Sequence, residues 1–411
     1  SDMRSRGFIE AFIRPQGLDR PAAPIFADAV EDAVRRGVKR STHDPVWGRL
    51  VRGLLYPVAF GAKWLAARRR AARGDLEQRS TDSLRILFVM ASPEYLRYYD
   101  STIRLLIERG HRLIIGVNQQ RDVKQARLEE LGDLTGDVEI VGVIPKRSDL
   151  WGQLGKGLRG VVDFTRFLHP RYRYAPALRA RMKRKVLPHA FKFLDWIPSL
   201  GSVGVQVTLA GLAWLERAIP SSRELEGFIA SHDPDLVLVS PLIDAASDQV
   251  DLIKSAQARG VRTGACIASW DNLTNKGLMR IEPDLVFVWN EIQRGEAVTF
   301  HRVTGDKVAV TGAQLFDRWF ERRPSRSRRA FCAEVGLRSE KPFLLFTCSS
   351  GFISESHREV PFVRAWIAAL RGSMDPTVRE LGVLVRPHPY NTAAWETADL
   401  SDLSNVAVYP R

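Results

Sequence analysis

The sequence predicts an α/β protein: two tandem, doubly wound units of parallel sheet behind a helical N-terminal extension. Three observations carry this. Short apolar runs recur along the chain, helical patterns alternate with them, and the alternation runs through twice. With 411 residues, 45% of them hydrophobic and 26% charged, the chain has the composition of a globular protein and can bury two or three domain cores.

The elements follow in order. Residues 1–80 read as helices and loops ending in the polar run "RGDLEQRSTDS". "LRILFVMAS" is the first strand, and "YYDSTIRLLIERGHR" is a helix with Ile103, Leu106 and Ile107 on one face and Gly110 at its end. "LIIGVN" and "DVEIVGVI" are the next strands. A basic helical insertion over 150–200 interrupts the alternation, which resumes with "PDLVLVSP", a helix through "DQVDLIKSAQARG", "RTGACIAS" and "PDLVFVWN". A second series starts at "DKVAVTGA". It continues through the helix "SRSRRAFCAEVG", the strand "PFLLFTCSS", the helix "VPFVRAWIAALRG", and the strands "LGVLVRPHP" and "NVAVYP". The domains expected are therefore a basic extension over 1–80, a first unit over 81–300 and a second over 301–411. Because the sequence stops just after a strand, the second unit is expected to be truncated.

Charge is concentrated. The net charge is +14, but residues 35–73 and 156–192 each hold eleven Lys/Arg against one acid, Asp44 and Asp163, so the rest of the chain sums to −6. Both segments mix cations with apolar and aromatic residues, which suits an anionic membrane surface; a solvated basic face packed on the protein is the plainer alternative. No nucleic-acid-binding motif accompanies them, so nucleic acid is not expected as a partner. No run reaches the roughly 18 apolar residues of a transmembrane helix. Cys266, Cys332 and Cys348 are odd in number and lack CxxC spacing, which points to a reducing compartment and away from a zinc site. A cytoplasmic protein, peripheral on the inner face of the membrane, is expected.

There is no GxGxxG after the first strand, no Walker A sequence, no HExxH and no GxSxG. What stands out is polarity at strand ends, where doubly wound sheets bind ligands. "SWDNLTNKG" follows one strand, "CSSG" another and "RPHP" a third. Asp271 can act as a general base or as a turn residue. Asn272 and Lys276 can hold a diphosphate or an acceptor, and Trp270 can stack on a ring or fill the core. His388, held between Pro387 and Pro389, and Arg386 can engage a phosphate. Ser349, Ser350 and Gly351 can offer hydroxyl and backbone donors to a diphosphate. Gly312 can serve the same site or, with Asp317, shape a turn. Glu94 and Tyr95 follow the first strand and are expected to face a ligand.

Four of these stretches, "SWDNLTNKG", "VTGAQLFD", "FLLFTCSS" and "VRPHP", fall in the order seen in the CDP-glycerol glycerophosphotransferase family, and residues 84–411 resemble that family and the wider GT-B transferases. The chain also looks like bacterial surface-carbohydrate proteins with a "SWDNLT-KG" signature. The resemblance implies two Rossmann-like units. It implies a nucleotide-activated donor on the second, near Ser349–Gly351, Gly312, Arg386 and His388, and a glycan or lipid-linked acceptor near Asp271 on the first. A histidine of the family falls at Asp271 here, which favours glycosyl transfer over CDP-polyol phosphotransfer. A non-hydrolysing sugar-nucleotide epimerase and a non-catalytic binding protein of the same fold are the other readings. No acidic DxD-type pair stands at a strand end, so neither metal nor cofactor is expected.

Overall fold

The computed structural model describes residues 2–35, 46–63, 83–119, 137–186, 201–351 and 353–410. The chain forms two compact units, Ser1–Glu321 and Arg322–Arg411. Each contains a parallel sheet, and the architecture is α/β with a helical N-terminal region.

All ten expected strands are present: β1 (Arg85–Met90), β2 (Arg112–Val117), β3 (Val138–Val143), β4 (Leu236–Ser240), β5 (Arg262–Cys266), β6 (Leu285–Val288), β7 (Val308–Val310), β8 (Phe343–Thr347), β9 (Gly382–Arg386) and β10 (Val406–Val408). The first seven make one sheet in the order β3-β2-β1-β4-β5-β6-β7, and the last three another in the order β10-β9-β8. The central strands are apolar without alternation because both of their faces are covered. Their side chains still alternate in direction. Leu87, Val89, Val237 and Val239 enter one core, whereas Ile86, Phe88, Met90, Leu236 and Leu238 enter the other. In the second unit Val383 and Val385 face one cluster and Leu384 another.

One boundary differs from expectation. β7 was expected to open the second unit. It pairs instead with β6, Val286 beside Val308, so the first unit runs on to Glu321. The N-terminal region is part of the first unit's core. Phe26 stacks on Phe287 at 4.7 Å, and Ala27 and Val30 are fully buried beside it. Asp317 binds the start of the Ala22–Arg35 helix, accepting from the Ala22 and Ala23 amides at 3.0 and 2.8 Å and from Arg14 at 3.2 Å. The Val46–Lys63 helix packs with the Leu150–Arg166 and Ser202–Ala218 helices. Of the two basic segments, residues 36–45, 64–73 and 187–192 lie outside the described residues, as does the expected boundary at residue 80.

Candidate active site

In the seven-stranded sheet the strand order reverses between β1 and β4. The chain leaves β1 toward β2 on one side and leaves β4 toward β5 on the other, which opens a crevice at the carboxyl ends of the two strands. A cavity of about 290 Å³ lies there. Ala91, Ser92, Glu94 and Tyr95 line it from the end of β1, Asn118 and Gln119 from β2, and Asp244 to Gln249 from β4. Lys156, on the Leu150–Arg166 helix, completes the lining. A smaller cavity of about 120 Å³ shares Asn118, Lys156 and Asp248.

The walls are held by side chains that bond to backbone. Buried Gln249 donates to the Val89 and Ser240 carbonyls at 3.2 and 2.9 Å and accepts from the Leu242 amide at 2.8 Å. It thus ties the ends of β1 and β4 together. Leu242 and Ala246 have left-handed backbones, φ 60° and 50°. Such a conformation costs about 1–3 kcal/mol and persists only where neighbours impose it. The neighbour at Ala246 is Asp163, which accepts from the Ala246 and Leu278 amides, both at 2.8 Å, and pairs with Arg280. Burial pushes the Asp163 carboxyl up, against the opposing pull of Arg280 and the two amides.

Asp163 also reaches the "SWDNLTNKG" loop. A Cβ on Gly277 would stand 2.6 Å from its Oδ1, so only glycine fits. Arg166, one helical turn further on, donates to the carbonyls of Leu273, Thr274, Lys276 and Gly277. Buried His301 donates from Nε2 to the Leu273 carbonyl and accepts the Met279 amide at Nδ1. The loop is therefore fixed by groups from two other helices, Leu150–Arg166 and Glu291–His301. Its output to the cavity is Lys276, whose Nζ meets Asp244 Oδ1 at 2.6 Å and the Tyr95 hydroxyl at 3.0 Å. Burial works against the Lys276 charge, but Asp244 and Tyr95 outweigh it and raise the pKa. Burial, then the Asp244 carboxylate, raise that of Tyr95.

The expected site residues divide accordingly. Glu94 and Tyr95 line the cavity, and Lys276 reaches it through Asp244 and Tyr95. Asp271 is not among the lining residues. Its carboxylate accepts from Ser269 Oγ at 2.8 Å and from the Asn272 and Asn275 amides, closing its own turn. Asn272 is buried beneath that turn, and Trp270 is 62% exposed. Gly312 belongs to the first unit. With φ 85°, it lies where a Cβ would stand 2.7 Å from Ala22 Cβ, so packing of the N-terminal segment explains the glycine. Asp244, Asp248, Asn118 and Lys156 were not singled out from the sequence. The first three follow apolar strands, a signal available in "PLIDAASDQ" and "LIIGVN"; Lys156 gave none. Asn118 is 8% exposed, and its Oδ1 makes no hydrogen bond among the described residues.

In the second unit β8 and β9 pair with Thr347 beside Arg386, which brings the "CSSG" and "RPHP" loops together. Asn391 fastens them, donating to the Ser349 and Ser354 carbonyls at 2.9 Å each and accepting the Ser356 amide at 3.1 Å. The Ser349 amide is taken up by Glu359 at 2.7 Å. His388 Nδ1 accepts the Tyr390 amide at 3.2 Å, so a neutral ring carries its proton on Nε2. Arg386 is exposed beside it. Among the described residues, no group of three or more His, Cys, Asp or Glu side chains is placed to hold a metal ion.

No protein-family model matches the chain, and no curated protein matches it. Solved structures match distantly. A UDP-N-acetylglucosamine 2-epimerase from Rickettsia bellii is 10% identical over 80% of this chain and 68% of its own, with a TM-score of 0.38. A glycosyltransferase from Rickettsia africae ESF-5 is 11% identical over 80% and 68%, with a TM-score of 0.43. The Anabaena protein HepE, solved with UDP and glucose, is 11% identical over 79% and 69%, with a TM-score of 0.36. At TM-scores below 0.5 these matches carry no weight for this chain, and the fold assignment rests on its own two parallel sheets.

Proposed function

We propose that the chain is a transferase that moves a glycosyl group from a nucleotide-activated donor to a hydroxyl of an envelope glycan or lipid-linked acceptor. The observation that carries this is the switch-point cavity, whose lining is rich in groups that accept hydrogen bonds. Glu94, Asp248 and Asn118 Oδ1, which has no hydrogen-bond partner among the described residues, suit a ligand that presents hydroxyls. Glu94 or Asp248, both carboxylates of the cavity lining, takes the proton from the attacking hydroxyl. Asp271 is assigned to the turn, because its own loop occupies its oxygens. On the second unit, the Nε2 proton of His388, the Arg386 guanidinium and the Ser350 hydroxyl suit a diphosphate leaving group.

Thermal shift of the whole chain against UDP-, GDP-, CDP- and TDP-linked donors tests the first half. One donor class should raise the melting temperature, and His388→Ala should weaken that donor about tenfold, the weight of a charge-assisted hydrogen bond. A product assay tests the second half. Glu94→Gln or Asp248→Asn should lower turnover by about 10² to 10⁴ with donor affinity kept. Asp271→Asn should stay within a few-fold of wild type. A CDP-polyol as the stabilising donor would favour polyol-phosphate transfer instead. No response to any donor would leave the fold as a binding module.

A further inference from the structure

The Ser202–Ala218 helix is apolar on two opposite faces. Val205 and Leu209 turn inward against Phe164 and Leu168. At 3.6 residues per turn, Val203, Val207, Ala210 and Trp214 fall within about 60° of each other on the other side. That side faces water: Val203 is 74% exposed, Val207 67% and Trp214 41%. A surface helix normally carries charge there. The stripe does not stop with this helix. Trp214 stacks on Trp47 at 4.5 Å, and Trp47, Leu50 and Leu54 form a second stripe on the Val46–Lys63 helix, with Leu50 72% and Leu54 79% exposed. The joined surface is larger than scattered apolar residues would make.

Its margins are cationic. Arg217 is exposed at the end of the first stripe. Beside Gln206, a pocket of about 70 Å³ holds exposed Arg171 and Arg302 and no acidic residue. No helix among the described residues is long and apolar enough to cross a membrane. We infer that this face, the paired stripes of Val46–Lys63 and Ser202–Ala218, docks the protein on the surface of an anionic lipid bilayer, with both helices in the plane of the interface. Apolar side chains would enter the acyl boundary and the arginines would meet headgroup phosphates. A second copy is the less favourable occupant, because pairing two such faces sets cationic margins against each other.

Flotation of the full chain with phosphatidylcholine vesicles, with and without 30% phosphatidylglycerol, is the test. The protein should float with the anionic vesicles at low salt, less at 0.5 M salt, and poorly with the neutral ones. Val203→Ser, Val207→Ser and Leu54→Ser replace exposed side chains, so the fold should survive, as checked by circular dichroism. Together they should lower the partition coefficient about tenfold or more. Arg171→Ser with Arg217→Ser should remove the preference for anionic lipid. Three results would overturn the inference: wild type left in the lower fraction with anionic vesicles, equal binding to neutral vesicles, or a wild-type dimer in sedimentation velocity that the three serine substitutions dissolve.

Discussion

His301 makes the sharpest statement available at a single residue. Burial, then the positive charge of Arg166, push its pKa down to about 3. The unfolded ring titrates near 6.5. Above pH 6.5 both states are neutral and the contribution of the site to stability is complete. As the pH falls below 6.5 the unfolded chain takes up a proton that the folded chain refuses until about 3, so stability drops through that window. His301→Gln keeps a donor for the Leu273 carbonyl and removes the titration. The variant should lose about 1–3 kcal/mol at pH 7.5 from imperfect bonding. Its further loss between pH 7.5 and 5.5 should be ~1 kcal/mol smaller than that of wild type in urea unfolding. Parallel slopes would mean that the ring is charged or exposed in the fold.

At the scale of elements, the start of the Ala22–Arg35 helix depends on a distant residue. Its first amides have no intrahelical acceptors, and Asp317 supplies both acceptors and negative charge at the positive end of the helix dipole. Asp317 and Arg14 are both nearly buried, at 4% and 6% exposure. Removing the carboxylate strands a guanidinium, a loss that costs about 3–5 kcal/mol at buried pairs. Asp317→Ala should show that loss in urea unfolding and faster limited proteolysis at residues 15–21. Unchanged proteolysis and stability would mean that the Phe26–Phe287 packing alone holds the segment. The same dependence explains Gly312, which leaves room for the segment rather than for a ligand.

For the whole molecule, the division after Glu321 separates two sets of cores, one around β1–β7 and one around β8–β10. Units with separate cores need not unfold together. Calorimetry should give a calorimetric enthalpy above the van't Hoff value, or two resolved transitions. A stabilising donor should move the transition of the unit that holds it. One coincident transition by every probe would show that the two cores are coupled.

The strands were legible in the sequence because a parallel strand covered on both faces is a local apolar run, and "LRILFVMAS" or "PDLVLVSP" has no other use. Polarity at their ends was legible too, and it led to Glu94 and Tyr95, which line the cavity. Sheet membership was not: "DKVAV" has the same local signal whichever neighbour it pairs with, and only chain closure put Val308 beside Val286. Asp271 looked like a base because its sequence context is polar, yet that same polarity, Ser269 and Asn275, is what its carboxylate bonds to. The cavity draws on residues from 91 to 249, and no pattern along the chain links Glu94, Asn118, Lys156 and Asp248. The Ser202–Ala218 helix is plainly apolar as written, but its outward face was fixed only when Val205 and Leu209 took the inward one. Local patterning sets which elements form, since propensity and burial are felt over a few residues. The neighbours of those elements, and so the site and the exposed surface, are decided by contacts between residues far apart in the chain, which form only when the chain closes on itself.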